Sequence, residues 1–142
     1  MFILCPDIIE IDLSNFNASQ VVTMTYMFGF CYSLTSINLT NFNTSKVTKI
    51  NRMFEKCHSL ISVDVSFFDT SKVSWMNHMF YECYSLNSLK LTNFDTSLVI
   101  YMEYFFSDCT SLTYLDISNF NTTLTEHMQN MFSNCKSLVS LD

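Results

Sequence analysis

The hydrophobic positions of this chain recur at one fixed interval. Met1-Phe2, Met27-Phe28, Met53-Phe54, Met79-Phe80, Phe105-Phe106 and Met131-Phe132 are each 26 residues apart. Cys5, Cys31, Cys57, Cys83, Cys109 and Cys135 keep the same step, as do Phe16, Phe42, Phe68, Phe94 and Phe120. A further column reads Met24, Ile50, Met76, Met102 and Met128. A period of this length marks a repeat array, in which a unit too small for its own core buries its apolar face against the next copy. Residues 1–142 read as a single array of about five and a half units.

Within a unit, Leu34, Ile37 and Leu39 form an L-x-x-L-x-L pattern whose end alternates with period two, the signature of a short strand. Asn41-Phe42-Asn43-Thr44-Ser45 follows as a polar corner around one apolar Phe, with side chains suited to bond local backbone and cap a helix. Val47, Ile50, Met53, Phe54 and Cys57 then recur at spacings of three, three, one and three, which predicts about three helical turns. The expected fold is α/β: a right-handed solenoid of the leucine-rich-repeat kind, with one short parallel strand and one short helix per 26-residue repeat.

Composition sharpens this picture. With one Gly and one Pro, the reversals fall to Asn, Asp, Ser and Thr. No apolar run reaches the ~18–20 residues of a membrane span, and the first five residues lack the basic start and length of a signal peptide. A net charge of −6 argues against a nucleic-acid binder. No capping repeat stands at either end, so the reading is a piece of a longer array, with end-to-end self-association possible.

The string Met53-Phe54-x-x-Cys57-x-Ser59-Leu60-x-x-Val63-Asp64-Val65-Ser66-x-Phe68-Asp69-Thr70-Ser71-x-Val73-x-x-Met76 resembles the bacterial surface protein 26-residue repeat. That repeat occurs in Listeria- and mycoplasma-type surface lipoproteins and in the BspA-like leucine-rich-repeat group, which extends into protists. The resemblance implies a solenoid on a cell surface or outside the cell, with adhesion or recognition of a protein or glycan as its role. It brings no catalytic, cofactor or metal residues. One departure is a Phe column where the leucine-rich repeat places its Asn ladder, which puts the usual horseshoe curvature in question.

Candidate chemistry is sparse. The six Cys lack the C-x-x-C pairing of a zinc site and read as small buried hydrophobes, with rung-to-rung disulfides as the alternative. The Met and Phe columns read as core. His58, His78 and His127 occupy three different columns, and one Gly cannot build a phosphate loop, so the chain reads as no enzyme.

Binding has more to stand on. The outward strand columns read Asp12, Asn38, Asp64, Lys90, Asp116, Asp142 and Glu10, Ser36, Ser62, Ser88, Tyr114, Ser140. Together they form a mostly acidic strip suited to an extended or basic partner, or simply the wet face of a sheet. Single carboxylates about 4.8 Å apart fall short of calcium's six to eight oxygens. Lys46, Lys49, Arg52 and Lys56 form a basic stripe at helical spacing, read chiefly as a solvated face. Tyr26, Tyr32, Trp75, Tyr81, Tyr84, Tyr101 and Tyr104 are candidate interface anchors, or packing against neighbouring repeats. Asn17, Asn38, Asn43 and Asn121 head N-x-S/T sequons, which matter only in a secreting eukaryote.

The leading expectation is a surface-displayed, non-enzymatic recognition or adhesion scaffold. An intracellular protein-interaction scaffold, with a cytoplasmic location, and a structural spacer are the alternatives.

Overall fold

The computed structural model describes residues 2–142; Met1, first of the Met-Phe column, lies outside them. The chain stacks in steps of one repeat. Six short strands, β1 (Glu10–Asp12), β2 (Ser36–Asn38), β3 (Ser62–Asp64), β4 (Ser88–Lys90), β5 (Tyr114–Leu115) and β6 (Ser140–Leu141), lie where the L-x-x-L-x-L pattern placed them. Partners are 26 residues apart and parallel: Glu10 with Ser36, Ser62 with Ser88, Tyr114 with Ser140. The strands pair two by two as β1-β2, β3-β4 and β5-β6.

The helix is absent, and the α/β leucine-rich-repeat reading is thereby corrected: among the described residues there is no helix. Consecutive tight turns take its place. In one rung the amides of Met53, Glu55 and Cys57 bond back to the carbonyls of Ile50, Arg52 and Phe54 at 3.1–3.2 Å, three residues earlier. The intervening amides of Ile50, Arg52, Phe54 and Lys56 point along the stack and bond Trp75, Asn77, Met79 and Tyr81 at 2.7–3.0 Å. Each turn therefore spends half its donors within the rung and half on the next. The amides from Arg52 to Cys57 are all taken in this way, which leaves none of them for the i to i−4 bonding of an α-helix.

This alternation needs left-handed backbone at two positions per rung. They are Tyr26, Arg52, His78, Tyr104 and Asn130 in one column and Leu4, Phe30, Lys56, Glu82, Asp108 and Asn134 in the other, all with φ between 56 and 64°. For side chains other than Gly, Asn and Asp that conformation costs about 1–2 kcal/mol per residue. The cross-rung bonds and burial of the apolar stripe offset it. Val47, Ile50, Met53, Phe54 and Cys57 all face inward and are fully buried, so the stripe predicts the burial correctly and the backbone wrongly.

The core is a set of ladders. Phe28 lies 5.3 Å from Phe54, and Phe54 lies 5.5 Å from Phe80, ring planes nearly parallel. The outer Phe column stacks more loosely, Phe16 to Phe42 at 5.9 Å and Phe42 to Phe68 at 6.3 Å. All six cysteines are free, and the thiols of Cys57, Cys83 and Cys109 donate to the carbonyls of Phe28, Phe54 and Phe80 at 3.1–3.2 Å. Burial pushes these thiols well above the ordinary cysteine range, which keeps them protonated and unreactive.

The polar corner caps no helix. Asn43, Asp69, Asp95 and Asn121 accept the amide two residues on at 2.9–3.1 Å, closing a local turn. The next residue reaches the following rung. The buried Thr44, Thr70 and Thr96 hydroxyls donate to the carbonyls of Asp69, Asp95 and Asn121 at 3.0–3.1 Å and accept their amides at 2.7–2.8 Å. Ala18 occupies this column in the first rung, also buried, and cannot make either bond. Ala18→Thr should therefore raise stability by about 0.5–1.5 kcal/mol, read as a higher urea midpoint at unchanged slope.

Candidate recognition face and its comparisons

The strands alternate outward, inward, outward, so β1 to β4 each present their first and third side chains to solvent. The structure thus collects the strand-face residues named from sequence into two parallel columns. Asp12, Asn38, Asp64 and Lys90 are exposed and Asp116 half-buried; Ser36, Ser62, Ser88 and Tyr114 are exposed beside them. Register brings Asp12 opposite Asn38 and Asp64 opposite Lys90.

The carboxylates are held in place. One oxygen of Asp12, Asp64 and Asp116 accepts the amide of Ser14, Ser66 and Ser118 at 2.9–3.0 Å, and the Ser66 and Ser118 hydroxyls donate to the same oxygen at 2.6–2.7 Å. These bonds hold Asp64 and Asp116 below the usual carboxylate range, led by the hydroxyls; the Ser14 amide does the same for Asp12. Two shallow hollows lie on this face. One, of about 200 Å³, is lined by Ser62, Val63, Asp64, Ser88 and Lys90. The other, of about 450 Å³, is lined by Glu10, Ile11, Asp12, Ser36, Ile37 and Asn38.

The basic stripe lies in turns, and all four of its members have partners. Lys46 donates to Gln20 at 2.8 Å, and the Lys49 ammonium sits 4.4 Å from the centre of Trp75. Arg52 pairs with Glu55 at 2.9 Å and lies 5.4 Å over Tyr26. Lys56 lies 3.6 Å from Glu82 and 5.6 Å over Phe30. Burial pushes the Glu55 carboxyl up even with Arg52 beside it. Each of the four cations contacts a residue one repeat away, while Lys46 and Lys49 stay exposed to solvent.

The aromatic columns behave similarly. Trp75, Tyr101 and His127 stack at 4.8 Å steps, and His58 sits between Tyr32 and Tyr84 at 4.9 and 4.7 Å. His78 packs on Tyr104 at 4.8 Å and on the edge of Tyr81 at 5.4 Å. Each of these rings packs on a neighbouring rung, yet Tyr32, Trp75 and Tyr84 remain exposed. Tyr84 donates to Glu82 at 2.7 Å, which pushes its own hydroxyl up to about 12.

Burial, aided by the charge of Arg52, pushes the His78 imidazole down to about 4. A depressed folded-state value means that the unfolded chain binds the proton first, so His78 stabilises above pH ~6.5 and loses that contribution as pH falls towards 4. The urea midpoint should therefore fall between pH 7 and pH 5. His78→Asn should flatten that fall.

Among the described residues no three His, Cys, Asp or Glu side chains are grouped to hold a metal ion, and no helix is long and apolar enough to cross a membrane.

Comparison with known families gives one result. The model of the family described as Mycoplasma protein of unknown function, DUF285, matches twice, over residues 1–63 and 59–141. The chain belongs to this family. Its two matches span nearly the whole sequence and agree with the mycoplasma-type repeat relationship read from the residues. No curated protein and no solved structure matches.

Proposed function

We propose that this DUF285 chain is a non-enzymatic recognition scaffold displayed at a cell surface or outside the cell, binding a protein or glycan partner through its strand face. The observation that carries this reading is the register of that face. Two polar columns run along the stack in 26-residue register, with fixed carboxylates and two hollows. Repeats whose similar core columns carry different outward residues are suited to extended binding surfaces. The likeness of the 26-residue pattern to bacterial surface repeats supports the location.

The reading is tested by replacing Asp64, Lys90 and Asp116 with Ala together and probing wild type and variant against arrays of extracellular proteins and glycans. A strand-face binder loses its partner while the variant stays folded, its stability lowered only by the lost turn bonds of Asp64 and Asp116. A spacer loses nothing. The six free thiols favour a second reading, an interaction scaffold of the same fold in a reducing compartment. Fusion of the native gene to a reporter that works only outside the cell separates the two.

A further inference from the structure

The charge pattern of the strand face says more than its net sign. Down the stack the outer column reads Asp12, Asn38, Asp64, Lys90, Asp116, Asp142, and its central three positions alternate minus, plus, minus. Among the described residues Lys90 has no ion-pair partner, unlike Arg52 and Lys56. It stands in the 200 Å³ hollow with Asp64 and the Ser62 and Ser88 residues. Among the described residues the Ser36, Ser62 and Ser88 hydroxyls have no hydrogen-bond partner, whereas those of Ser45, Ser66, Ser71 and Ser118 do. One column thus offers free hydroxyls and the other offers alternating charge, side by side along the stack.

We propose that this strip takes an extended peptide segment of alternating charge, running along the stack with its backbone over Ser62 and Ser88. A central Glu or Asp of the segment pairs with Lys90, and flanking Lys or Arg side chains pair with Asp64 and Asp116. This rests on the reading of the strand face as a recognition surface. It departs from the simpler expectation of a uniformly basic partner, because the middle cation of such a partner would meet Lys90. A uniformly acidic segment would meet Asp64 and Asp116.

The spacing is compatible. Rungs of parallel strands are about 4.8 Å apart, and same-side residues of an extended chain are roughly 6.4–6.8 Å apart. The mismatch is about 2 Å at Asp64, which pairs in register with Lys90, and that is within the reach of a Lys or Arg side chain. A neutral glycan would leave the three charges unpaired. It would also find one aromatic platform in the two columns, Tyr114, whose hydroxyl already donates to Asp142 at 3.2 Å.

The test uses fluorescence polarisation at low ionic strength with three labelled peptides, Lys-x-Glu-x-Lys, Lys-x-Lys-x-Lys and Glu-x-Lys-x-Glu, where x is Ser or Thr. Wild type should bind the first about tenfold more tightly than either other, a difference that salt weakens. Lys90→Asp should transfer the preference to the uniformly basic peptide, and Lys90→Gln should remove the preference without creating the new one. If wild type binds the uniformly basic peptide equally well or better, the alternation is not read and the proposal falls. In that case the recognition face itself survives, because it is judged separately by the triple alanine variant. If none of the three peptides binds, a charged extended peptide is not the occupant and the proposal also falls.

Discussion

Phe54→Ala should lower the free energy of unfolding by about 3–5 kcal/mol, the range for emptying a fully buried aromatic site. Phe54 is completely buried between Phe28 and Phe80, with ring planes within 17° of parallel on one side and 4° on the other. Its carbonyl accepts both the Cys57 amide and the Cys83 thiol, so the residue joins its own turn to the next rung. A stack cannot collapse around the hole by moving one element, because the cross-rung bonds on either side fix the spacing. Phe54→Leu should recover much of the loss, and Phe2→Ala should cost less than Phe54→Ala because Phe2 is half-buried and stacks on one ring. Urea unfolding of the three variants checks the order. Equal losses at Phe2 and Phe54 would contradict the ladder.

Thr70→Val should cost about 1–3 kcal/mol although volume is nearly conserved, because it strands buried backbone groups. The Thr70 hydroxyl donates to the Asp95 carbonyl at 3.0 Å and accepts the Asp95 amide at 2.8 Å, in a position almost closed to solvent. Removing it leaves that amide without a partner at the joint between two rungs. Thr70→Ser keeps the oxygen and should lose much less. Hydrogen exchange at the Asp95 amide gives a local readout: it should speed up in Thr70→Val and stay near wild type in Thr70→Ser.

How far the sequence reveals the molecule depends on whether a feature is a property of columns or of backbone. The period, the inward columns and the strand positions are column properties. The pairing of Ser62 with Ser88 and of Asp64 with Lys90 follows directly from the 26-residue step. The helix is a backbone property, and spacing alone cannot settle it. Residues 50, 53, 54 and 57 line one side of a helix, yet they also line the inside of successive three-residue turns. What decides is the left-handed backbone at residues such as Arg52, Lys56, Glu82 and Tyr104, types that give no hint of it. Only His78, Asp108, Asn130 and Asn134 in those columns belong to types enriched in this conformation.

The same distinction explains the site. Strand-face residues were legible because alternation places them. The solvated stripe of Lys46, Lys49, Arg52 and Lys56 is legible along the chain, whereas the partners of Lys49 and Lys56 lie one repeat away, at Trp75 and Glu82. Reading the outer columns across repeats, as was done for the core, would have found both pairs. The thiol-to-carbonyl bonds had no sequence signal, since a buried cysteine column looks the same with or without them.

The central claim is that turns bonded across rungs replace the helix. Scalar couplings through hydrogen bonds, measured by NMR on the isotope-labelled chain, test it most directly. The Phe54 amide should correlate with the Met79 carbonyl and the Lys56 amide with the Tyr81 carbonyl, each 25 residues ahead. Correlations from the Cys57 amide to the Met53 carbonyl and from Phe54 to Ile50, four residues back, would be those of an α-helix and would contradict the account.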